Sequence, residues 1–324
     1  MNHEGRLIYR DFGSTGLRPS SIGIGCSRIG NLSGPERDWD KLLRQALDAG
    51  INFFDTADIY SQGNSERVLG EALRGRRQEA IICTKAGRTL GSAQRLPSGV
   101  LKVMRKVGRS FGPARRALRA GRQLCNGTRF DGTYLTHAIE NSLRRLRTDY
   151  VDIFLLHNPP LDALTSADLA KVTHSFKDRG LVRYYGVACP DAVTADYIRA
   201  SLCLPELSVI EMPTHPYVSD LFFDVVDAVK NKGVAVIGRT PYAYGKIFDD
   251  KQFLRIVMTD PANRTPAQMA LRFAIQLNEL GMVLPGVSSL PHLEDTLEGL
   301  SAPPLSPDAF DRISALNQYN RQAS

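Results

Sequence analysis

Short apolar runs alternate with helical patterns along almost the whole chain. Each run is followed by a segment with apolar residues at helical spacing or with a helix-capping residue at its start. Strands that are buried on both faces of a parallel sheet have continuous apolar sequences of this kind. The alternation therefore predicts an α/β protein with eight strand–helix units. The eight runs are 22–25, 51–54, 80–83, 151–156, 182–187, 207–210, 234–237 and 282–284.

Some helix ends can be placed from the sequence. Pro35 suits the first position of the first helix, and Gly50 suits its end. Asn64 or Ser65 is placed to cap the second helix. Thr133 is expected to cap a later helix, whose apolar face would consist of Leu135, Ile139, Leu143 and Leu146.

The number of units decides how the parallel sheet is arranged. Eight units over 324 residues fit a closed (β/α)8 barrel, the TIM barrel, better than a doubly wound open sheet. No internal repeat and no linker rich in Pro or Ser divides the chain. We therefore predict one domain over residues 1–324, with a long insert after the third strand and a C-terminal helical extension.

Composition excludes several classes of protein. With 43% hydrophobic and 23% charged residues, the chain is neither collagen-like nor wholly disordered. No apolar run approaches the ~18–20 residues of a membrane helix, and the N-terminus leads into no apolar signal segment. The cysteines show no CxxC spacing, so neither a disulfide framework nor a metal site is predicted. We expect a cytoplasmic protein with no membrane span and five free cysteines, Cys26, Cys83, Cys125, Cys189 and Cys203.

Four ionisable residues lie just after apolar runs. Asp55 directly follows the second run, and Tyr60 lies five residues further on. Lys85 comes just after the third run, and His157 directly follows the fourth. In a (β/α)8 barrel, catalytic residues lie at the carboxyl ends of the strands. The barrel therefore predicts that these four side chains converge on one rim.

The four residue types together suit the protonation of a carbonyl oxygen. A tyrosine phenol has a pKa near ~10, so it is a weak acid at neutral pH. A nearby ammonium is expected to lower that pKa, and a carboxylate paired with the lysine would hold the ammonium in place. A histidine can donate a hydrogen bond to the carbonyl oxygen. Any one of these residues alone has a simpler structural explanation, but their combination favours a site that protonates an alkoxide as hydride arrives.

Several segments around these residues resemble the aldo-keto reductase superfamily. The resemblance covers nearly the whole chain apart from residues 88–130. It is carried by 50–60 and 64–73 around Asp55 and Tyr60, by Thr84-Lys85, by 142–157 ending at His157, by 182–187, and by Pro285-Gly286 with 292–295.

The resemblance implies a TIM barrel that binds NADP(H) in an extended conformation, without a Rossmann domain. It implies that Tyr60 is the general acid, that Lys85 and Asp55 tune its acidity, and that His157 orients the carbonyl group. The nicotinamide would be held after the fifth, sixth and seventh strands by Ala188, Cys189, Glu211, Thr240, Pro241 and Tyr242. A late loop would clamp the rest of the cofactor through Gly286, Ser288, His292 and Asp295.

Some positions depart from the pattern of this family. Ala188 stands where a serine usually holds the carboxamide, and His215 stands where many members have asparagine. Glu211 stands where glutamine is usual, and an ionised glutamate offers acceptors only. The late loop, 285–296, contains no Lys or Arg for a 2′-phosphate. NADP(H) is therefore the family default, and NAD(H) stays open.

The positive charge of the chain is concentrated in the insert, 88–130. The net charge is +7, and the insert has no Asp or Glu between its first and last arginine, so the rest of the chain is mildly acidic. By resemblance the insert would cover the substrate cleft, where its cations would steer an anionic substrate. Alternatively it is a solvated lid, or its apolar residues form a helix near 100–109 on an anionic membrane surface. Few aromatic residues accompany these cations, so no nucleic acid partner is expected.

The sequence thus predicts an NAD(P)H-dependent oxidoreductase. It would reduce an aldehyde or ketone to an alcohol, or oxidise a sugar-like alcohol in the reverse direction. Its partner would be a small carbonyl or alcohol molecule, and the basic insert favours an anionic one. A second hypothesis is a redox sensor or interaction protein that binds the cofactor with little catalysis, because Ala188 and Glu211 alter the expected nicotinamide site. The substrate, the physiological direction and the oligomeric state do not follow from the sequence.

Overall fold

A computed structural model describes residues 7–30, 38–89 and 127–316. Eight strands of this part of the chain form one sheet, in which every pair of neighbours is parallel. In spatial order they are β1 (Ile24–Gly25), β2 (Phe53–Asp55), β3 (Ile81–Ala86), β6 (Val151–His157), β7 (Val182–Ala188), β8 (Val209–Pro213), β9 (Ala235–Arg239) and β10 (Gly281–Leu284).

The first and last strands close this sheet into a barrel. Ile22 and Val283 form a parallel bridge. The amide of Gly23 donates to the carbonyl of Val283 at 2.9 Å, and the amide of Val283 donates to the carbonyl of Ser21 at 3.0 Å. The predicted (β/α)8 barrel is confirmed.

Helices connect the strands and cover the outside of the barrel. The last of them forms the expected C-terminal extension. They are α1 (Trp39–Asp48), α2 (Asn64–Ala72), α3 (Gly132–Leu146), α4 (Leu161–Leu164), α5 (Ala167–Asp178), α6 (Ala195–Ser201), α7 (Ser219–Asn231), α8 (Lys251–Met258), α9 (Pro266–Leu277), α10 (Leu290–Ser301) and α11 (Pro307–Ser314). None of the helices in the described ranges is long and apolar enough to cross a bilayer.

The predicted helix caps were partly wrong. Helix α1 is capped by Asp38, whose carboxylate accepts from the amide of Lys41. Pro35, the predicted first residue, lies outside the described residues. Helix α2 follows Gly63 and has no side-chain cap at its start, so neither Asn64 nor Ser65 caps it. Helix α3 is capped by Asp131 rather than Thr133, because Gly132 is already helical and the Asp131 carboxylate accepts from the amide of Tyr134.

The barrel has two apolar layers. One layer lies between the sheet and the helices and includes Phe54, Ile82, Phe154 and Val187. The other fills the barrel interior with strand side chains that alternate with these, together with Phe12 and Leu17 from the N-terminal segment. Its members are Phe12, Leu17, Phe53, Ile81, Cys83, Ile153, Leu155, Ala188, Val209, Ala235, Ile237, Met282 and Leu284. Burial of both strand faces explains why the strands have continuous apolar sequences.

The amino end of the barrel carries structural contacts. Phe12 is fully buried there and its ring centroid lies 6.0 Å from that of Phe53. The Asp152 carboxylate, at the start of β6, pairs with Arg77 at 2.7 Å and with Arg183 at 3.1 Å. These contacts lie at the opposite end of the strands from the predicted site.

A two-stranded ribbon stands at the base of the basic insert. Strand β4 (Arg88–Thr89) pairs antiparallel with β5 (Gly127–Thr128), in the register Arg88↔Thr128 and Thr89↔Gly127. Residues 90–126, and with them the predictions of a cleft cover, a solvated lid or a membrane helix, lie outside the described residues.

Candidate active site

A buried ion pair lies where strands β2 and β3 end. The Lys85 side chain is fully buried, and its Nζ donates to Oδ1 of Asp55, the last residue of β2. The same ammonium donates to the carbonyl of Thr56 at 3.2 Å. Because an isolated charge is costly to bury, this pairing allows Lys85 to stay ionised inside the barrel.

Tyr60 and His157 lie beside this ion pair. Lys85 Nζ is 5.4 Å from the centroid of the Tyr60 ring. The Tyr60 and His157 rings are 5.9 Å apart at an interplanar angle of 89°. After Tyr60 the chain turns sharply, with left-handed backbone at Ser61 (φ 49°) and Gln62 (φ 59°). The structure thus brings together the four side chains predicted to converge.

The ionisation of these groups follows from their surroundings. Burial disfavours the Lys85 ammonium, but Asp55 and Glu211 outweigh this effect and hold the pKa of Lys85 well above its usual value. Burial lowers the pKa of His157 well below its usual range, and Lys85 lowers it further, so the imidazole is neutral at pH 7.

The expected lowering of the Tyr60 pKa is not found. Burial raises the pKa of the phenol, and Lys85 only partly opposes this effect. The carboxylates of Asp55 and Glu211 raise it further. In this structure Tyr60 is therefore a protonated phenol at neutral pH, which is the form that a proton donor requires.

Glu211 contacts the Lys85 ammonium from the other side of the barrel mouth. Its side chain is buried on β8, and Oε2 lies 3.1 Å from Lys85 Nζ. Its Oε1 lies 3.6 Å from Nε of Arg239, the last residue of β9. The residue predicted to hold the nicotinamide is thus part of an ionic network with the predicted catalytic lysine.

Arg239 was not among the predicted site residues. Its guanidinium donates to Asp191 Oδ1 at 2.6 Å, to the Tyr244 hydroxyl at 3.2 Å and to the Cys189 carbonyl at 2.9 Å. The signal that identified Asp55 and His157 was available here too. Arg239 is the first charged residue after the seventh apolar run, separated from it only by Gly238.

The end of β7 is held by Asn158, which also has a left-handed backbone (φ 54°). With its amide nitrogen facing the strand, Asn158 donates to the carbonyls of Ala188 and Cys189 at 3.1 Å each. Burial raises the pKa of the Cys189 thiol to about 12, so the thiol is not ionised at neutral pH. Asn158 directly follows His157, so the rule that selected His157 could have selected it as well.

The remaining predicted cofactor residues form a second group beside β9 and β10. Thr240, Pro241 and Tyr242 follow β9, and a side chain at Gly286 would lie only 3.5 Å from the Tyr242 ring. Further along, Ser288 Oγ lies 3.2 Å from Nδ1 of His292. The predicted positions at 240–242 and 286–292 are thus adjacent in space.

Asp295 has a contact of its own. Its Oδ1 accepts from the side-chain amide of Gln268 on α9 at 2.9 Å. The Asp295 carboxylate therefore links α9 to α10, which is a structural role that the sequence did not reveal.

The family model described as the Aldo/keto reductase family matches residues 21–318. The chain belongs to the aldo/keto reductase family. An L-galactose dehydrogenase from Arabidopsis thaliana is 26% identical over 319 residues, which cover 91% of this chain and 89% of that protein.

Solved aldo-keto reductase structures share the barrel. The holo form of aldo-keto reductase AKR11C1 from Bacillus halodurans has a TM-score of 0.74 at 24% identity and covers 96% of each chain. An aldo/keto reductase from Klebsiella pneumoniae, in complex with NADP and acetate, has a TM-score of 0.66 at 20% identity and covers 94% of each chain. These likenesses support the fold of this family member.

Unpartnered polar atoms at the barrel mouth test whether the residues fit the nicotinamide cofactor of an aldo/keto reductase. In the part of the chain that the structure describes, His157 Nδ1, His215 Nδ1 and Thr240 Oγ1 are buried without a hydrogen-bond partner. Burial lowers the pKa of His215 to about 4, so this ring is neutral at pH 7. All three residues lie at or just beyond the carboxyl ends of strands, on the same face of the barrel. Buried polar atoms normally have a hydrogen-bond partner, and a polar ligand would supply one here. The mouth fits a polar cofactor.

Among residues 7–30, 38–89 and 127–316, no group of three or more His, Cys, Asp or Glu side chains is arranged to hold a metal ion.

Proposed function

We propose that this aldo/keto reductase is an NAD(P)H-dependent oxidoreductase that reduces an aldehyde or ketone to an alcohol, or catalyses the reverse oxidation. The observation that carries the proposal is the meeting of Asp55, Tyr60, Lys85 and His157 at one end of the barrel. These residues come from the ends of three strands, or just beyond, and catalytic residues of (β/α)8 enzymes lie at that end.

Each of the four residues has a role that suits this reaction. When bound, the nicotinamide supplies or accepts the hydride. Tyr60 donates its phenolic proton to the carbonyl oxygen, and the Lys85 ammonium stabilises the phenolate that is left. Asp55 holds Lys85 in place. Neutral His157 orients the carbonyl group through a hydrogen bond.

The proposed cofactor is NADP(H), as in the Klebsiella pneumoniae relative whose structure contains NADP. The residues proposed to hold it are Ala188, Cys189, Glu211, Thr240, Pro241 and Tyr242 at the nicotinamide, and Gly286, Ser288, His292 and Asp295 further out. The lack of Lys and Arg in 285–296 makes NAD(H) the alternative to be compared directly.

The proposed substrate class is a small carbonyl compound or alcohol. The dehydrogenase from Arabidopsis thaliana supports a sugar-like alcohol, because its name gives L-galactose. The cations of the insert support an anionic member of this class. The four cysteines in the described ranges are free, which supports the proposal that the protein acts in the cytoplasm.

Two measurements test the proposed function. The purified protein is titrated with NADPH and NADH while nucleotide fluorescence is followed, and turnover is then measured over a panel of aldehydes, ketones and sugar alcohols. Nucleotide binding with turnover supports the oxidoreductase. Binding without turnover above background would favour the sensor hypothesis, and no binding up to millimolar nucleotide would contradict both.

Tyr60→Phe is the decisive variant. Because it removes the phenolic hydroxyl that would donate the proton and keeps the ring, we expect a loss of turnover of about 10²-fold to 10⁴-fold with nucleotide affinity near that of the wild type. Tyr150→Phe is the matched control, since this hydroxyl contacts Gln78 at the amino end of β6 and should leave turnover unchanged. Turnover that persists in Tyr60→Phe would contradict the assignment of the proton donor.

A further inference from the structure

A row of alternating charges crosses the mouth of the barrel. Between neighbours, an oxygen of one residue lies within 3.6 Å of a nitrogen of the next, from β2 across β3, β8 and β9 to the loop after β7. The row contains two more carboxylates, Glu211 and Asp191, than the four predicted catalytic residues supply. Its members, in order, are Asp55, Lys85, Glu211, Arg239 and Asp191.

Glu211 has an unusual position in this row. It lies between two cations, and its side chain is only 5% exposed. Lys85 is likewise shared between two carboxylates, because Asp55 and Glu211 both contact its ammonium. An ammonium held by a second carboxylate is less available to a neighbouring phenolate.

We propose that Glu211 and Arg239 are positioning residues that act on Tyr60 through Lys85. Glu211 attracts the Lys85 ammonium and so weakens its stabilisation of the Tyr60 phenolate. Arg239 reduces this effect because it pairs with Glu211. The inference rests on the proposed function, in which Tyr60 is the proton donor. It assigns to Glu211 a role in proton transfer instead of, or in addition to, contact with the nicotinamide.

The charges that face Tyr60 determine the sign of each effect. Loss of the Glu211 charge removes one of the two carboxylates that contact Lys85, while Lys85 and Arg239 keep their positive charges, which favours the phenolate. Loss of the Arg239 charge leaves Glu211 opposed only by Lys85, which disfavours the phenolate. In the described part of the chain, the charges that act on Tyr60 include Asp55 from β2, Lys85 from β3, Glu211 from β8 and Arg239 from β9, and the neutral His157 ring from β6 lies against it. Asp58, a further titratable group, lies two residues before Tyr60 in the chain.

The two neutralising variants therefore have opposite effects. We replace Tyr60 by 3-fluorotyrosine, whose phenol is more acidic than that of tyrosine, and follow its ionisation by ¹⁹F NMR as the pH is raised. In Glu211→Gln we expect the midpoint to fall by about one pH unit or more, which is a tenfold change in acidity. In Arg239→Gln we expect the midpoint of this titration to rise. In the double variant, Glu211→Gln with Arg239→Gln, we expect the midpoint to return towards that of the wild type.

Three further variants separate this role from a structural one. Arg239→Lys and Glu211→Asp keep the charges and should keep the midpoint near that of the wild type. Asp152→Asn removes another buried carboxylate that pairs with two arginines, at the opposite end of the barrel, and should leave the midpoint unchanged. If Glu211→Gln does not fold, the comparison of Arg239→Gln with Arg239→Lys still tests the proposal.

An unchanged midpoint in the neutralising variants, or shifts of both in the same direction, would overturn the inference. The NMR titration needs neither nucleotide nor substrate. Normal turnover with unshifted midpoints would therefore contradict this inference alone. A protein without turnover on any carbonyl compound would contradict the proposed function, whatever the midpoints are.

Discussion

Asp58 carries a carboxylate that the fold buries with little compensation. Its Oδ2 accepts from the Tyr134 hydroxyl at 3.4 Å, and in the described part of the chain its Oδ1 has no hydrogen-bond partner. Burial raises the pKa of Asp58 to about 7, and the nearby Glu66 adds to this effect while Arg145 opposes it. Asp58, two residues before Tyr60 in the chain, is therefore a source of pH-dependent stability.

Asp58→Asn should stabilise the protein at pH 8. Between pH 4 and 7 the folded state keeps a proton that the unfolded chain loses, so the free energy of unfolding falls as the pH rises. Above pH 7 the buried carboxylate is charged, and its burial lowers the free energy of unfolding by at most roughly 4 kcal/mol. Urea unfolding of both proteins at pH 4 and pH 8 measures the difference, which should be smallest at pH 4.

The control for this variant is Asp311→Asn, on the exposed face of α11. Its free energy of unfolding should follow that of the wild type at both pH values. A gain in Asp58→Asn that is equal at pH 4 and pH 8 would show that the stabilisation does not come from the ionisation of Asp58.

Single residues of the site differ in how far the sequence predicts them. Asp55, Lys85 and His157 lie at strand ends, where the barrel itself directs side chains to one face, and their meeting was predicted correctly. The contact of Glu211 with Lys85 depends on the packing of β8 across the barrel from β3, which no local pattern encodes. The raised pKa of Tyr60 is a sum of burial and four neighbouring charges, and its sign could not be read from the presence of one lysine.

Strands β7 and β8 leave no room for a side chain at Gly186. A Cβ atom at Gly186 would lie 2.0 Å from the backbone carbonyl oxygen of Val209, its partner in the register. Backbone cannot move aside as a flexible side chain can. The pairing of these two strands, and the position of Glu211 on β8, therefore depend on glycine here.

Gly186→Ala should lower the free energy of unfolding by about 1–3 kcal/mol or more, because the added methyl group overpacks the sheet. Gly25→Ala is a matched control, since its Cβ would find only ordinary contact with Leu284 at 4.0 Å. Its free energy of unfolding should change by less than about 0.5 kcal/mol. Equal losses in both variants, measured by urea unfolding, would contradict the role of the close approach.

The sequence placed the strands better than it placed their ends. All eight apolar runs overlap a strand or adjoin the barrel, because burial of both faces requires apolar residues. Some strands continue past the apolar runs to polar residues such as His157 and Arg239. The backbone of these residues pairs with the neighbouring strand, but their polar side chains gave no sign in the sequence that they belong to a buried strand. Which of several neighbouring polar residues caps a helix depends on the local path of the backbone. The sequence alone therefore did not distinguish Asp131 from Thr133.

For the whole molecule, the barrel interior is a core to which all parts of the sheet contribute. The N-terminal segment closes its amino end, where Tyr9 bridges Ser20 in antiparallel fashion and Phe12 packs beside Phe53. The number of strand–helix units predicted the closed barrel. The covering of its amino end was not predicted, because the segment has no apolar run or helical pattern of its own.

Phe12→Ala should therefore destabilise the whole barrel rather than the N-terminal segment alone. The lost contacts and the cavity together should cost about 3–5 kcal/mol of unfolding free energy. Urea unfolding can be followed by far-UV circular dichroism and by the fluorescence of the single tryptophan, Trp39. The midpoint of unfolding should shift by the same amount with both probes.

Phe223→Ala is the control for Phe12→Ala, because Phe223 is 51% exposed on α7. Its unfolding free energy should change by less than about 1 kcal/mol. A shift of only one probe in Phe12→Ala would mean that the N-terminal segment unfolds separately from the barrel.

The ribbon of β4 and β5 has an evolutionary consequence. Because Arg88 pairs with Thr128 and Thr89 with Gly127, the chain leaves the barrel and returns to it at neighbouring points. The entropy of closing the stretch between them grows only slowly with its length. Insertions, deletions or whole exchanges in that stretch therefore leave the barrel and its charged row in place. The ribbon therefore lets the sequence of 90–126 diverge quickly while the residues of the charged row are inherited unchanged.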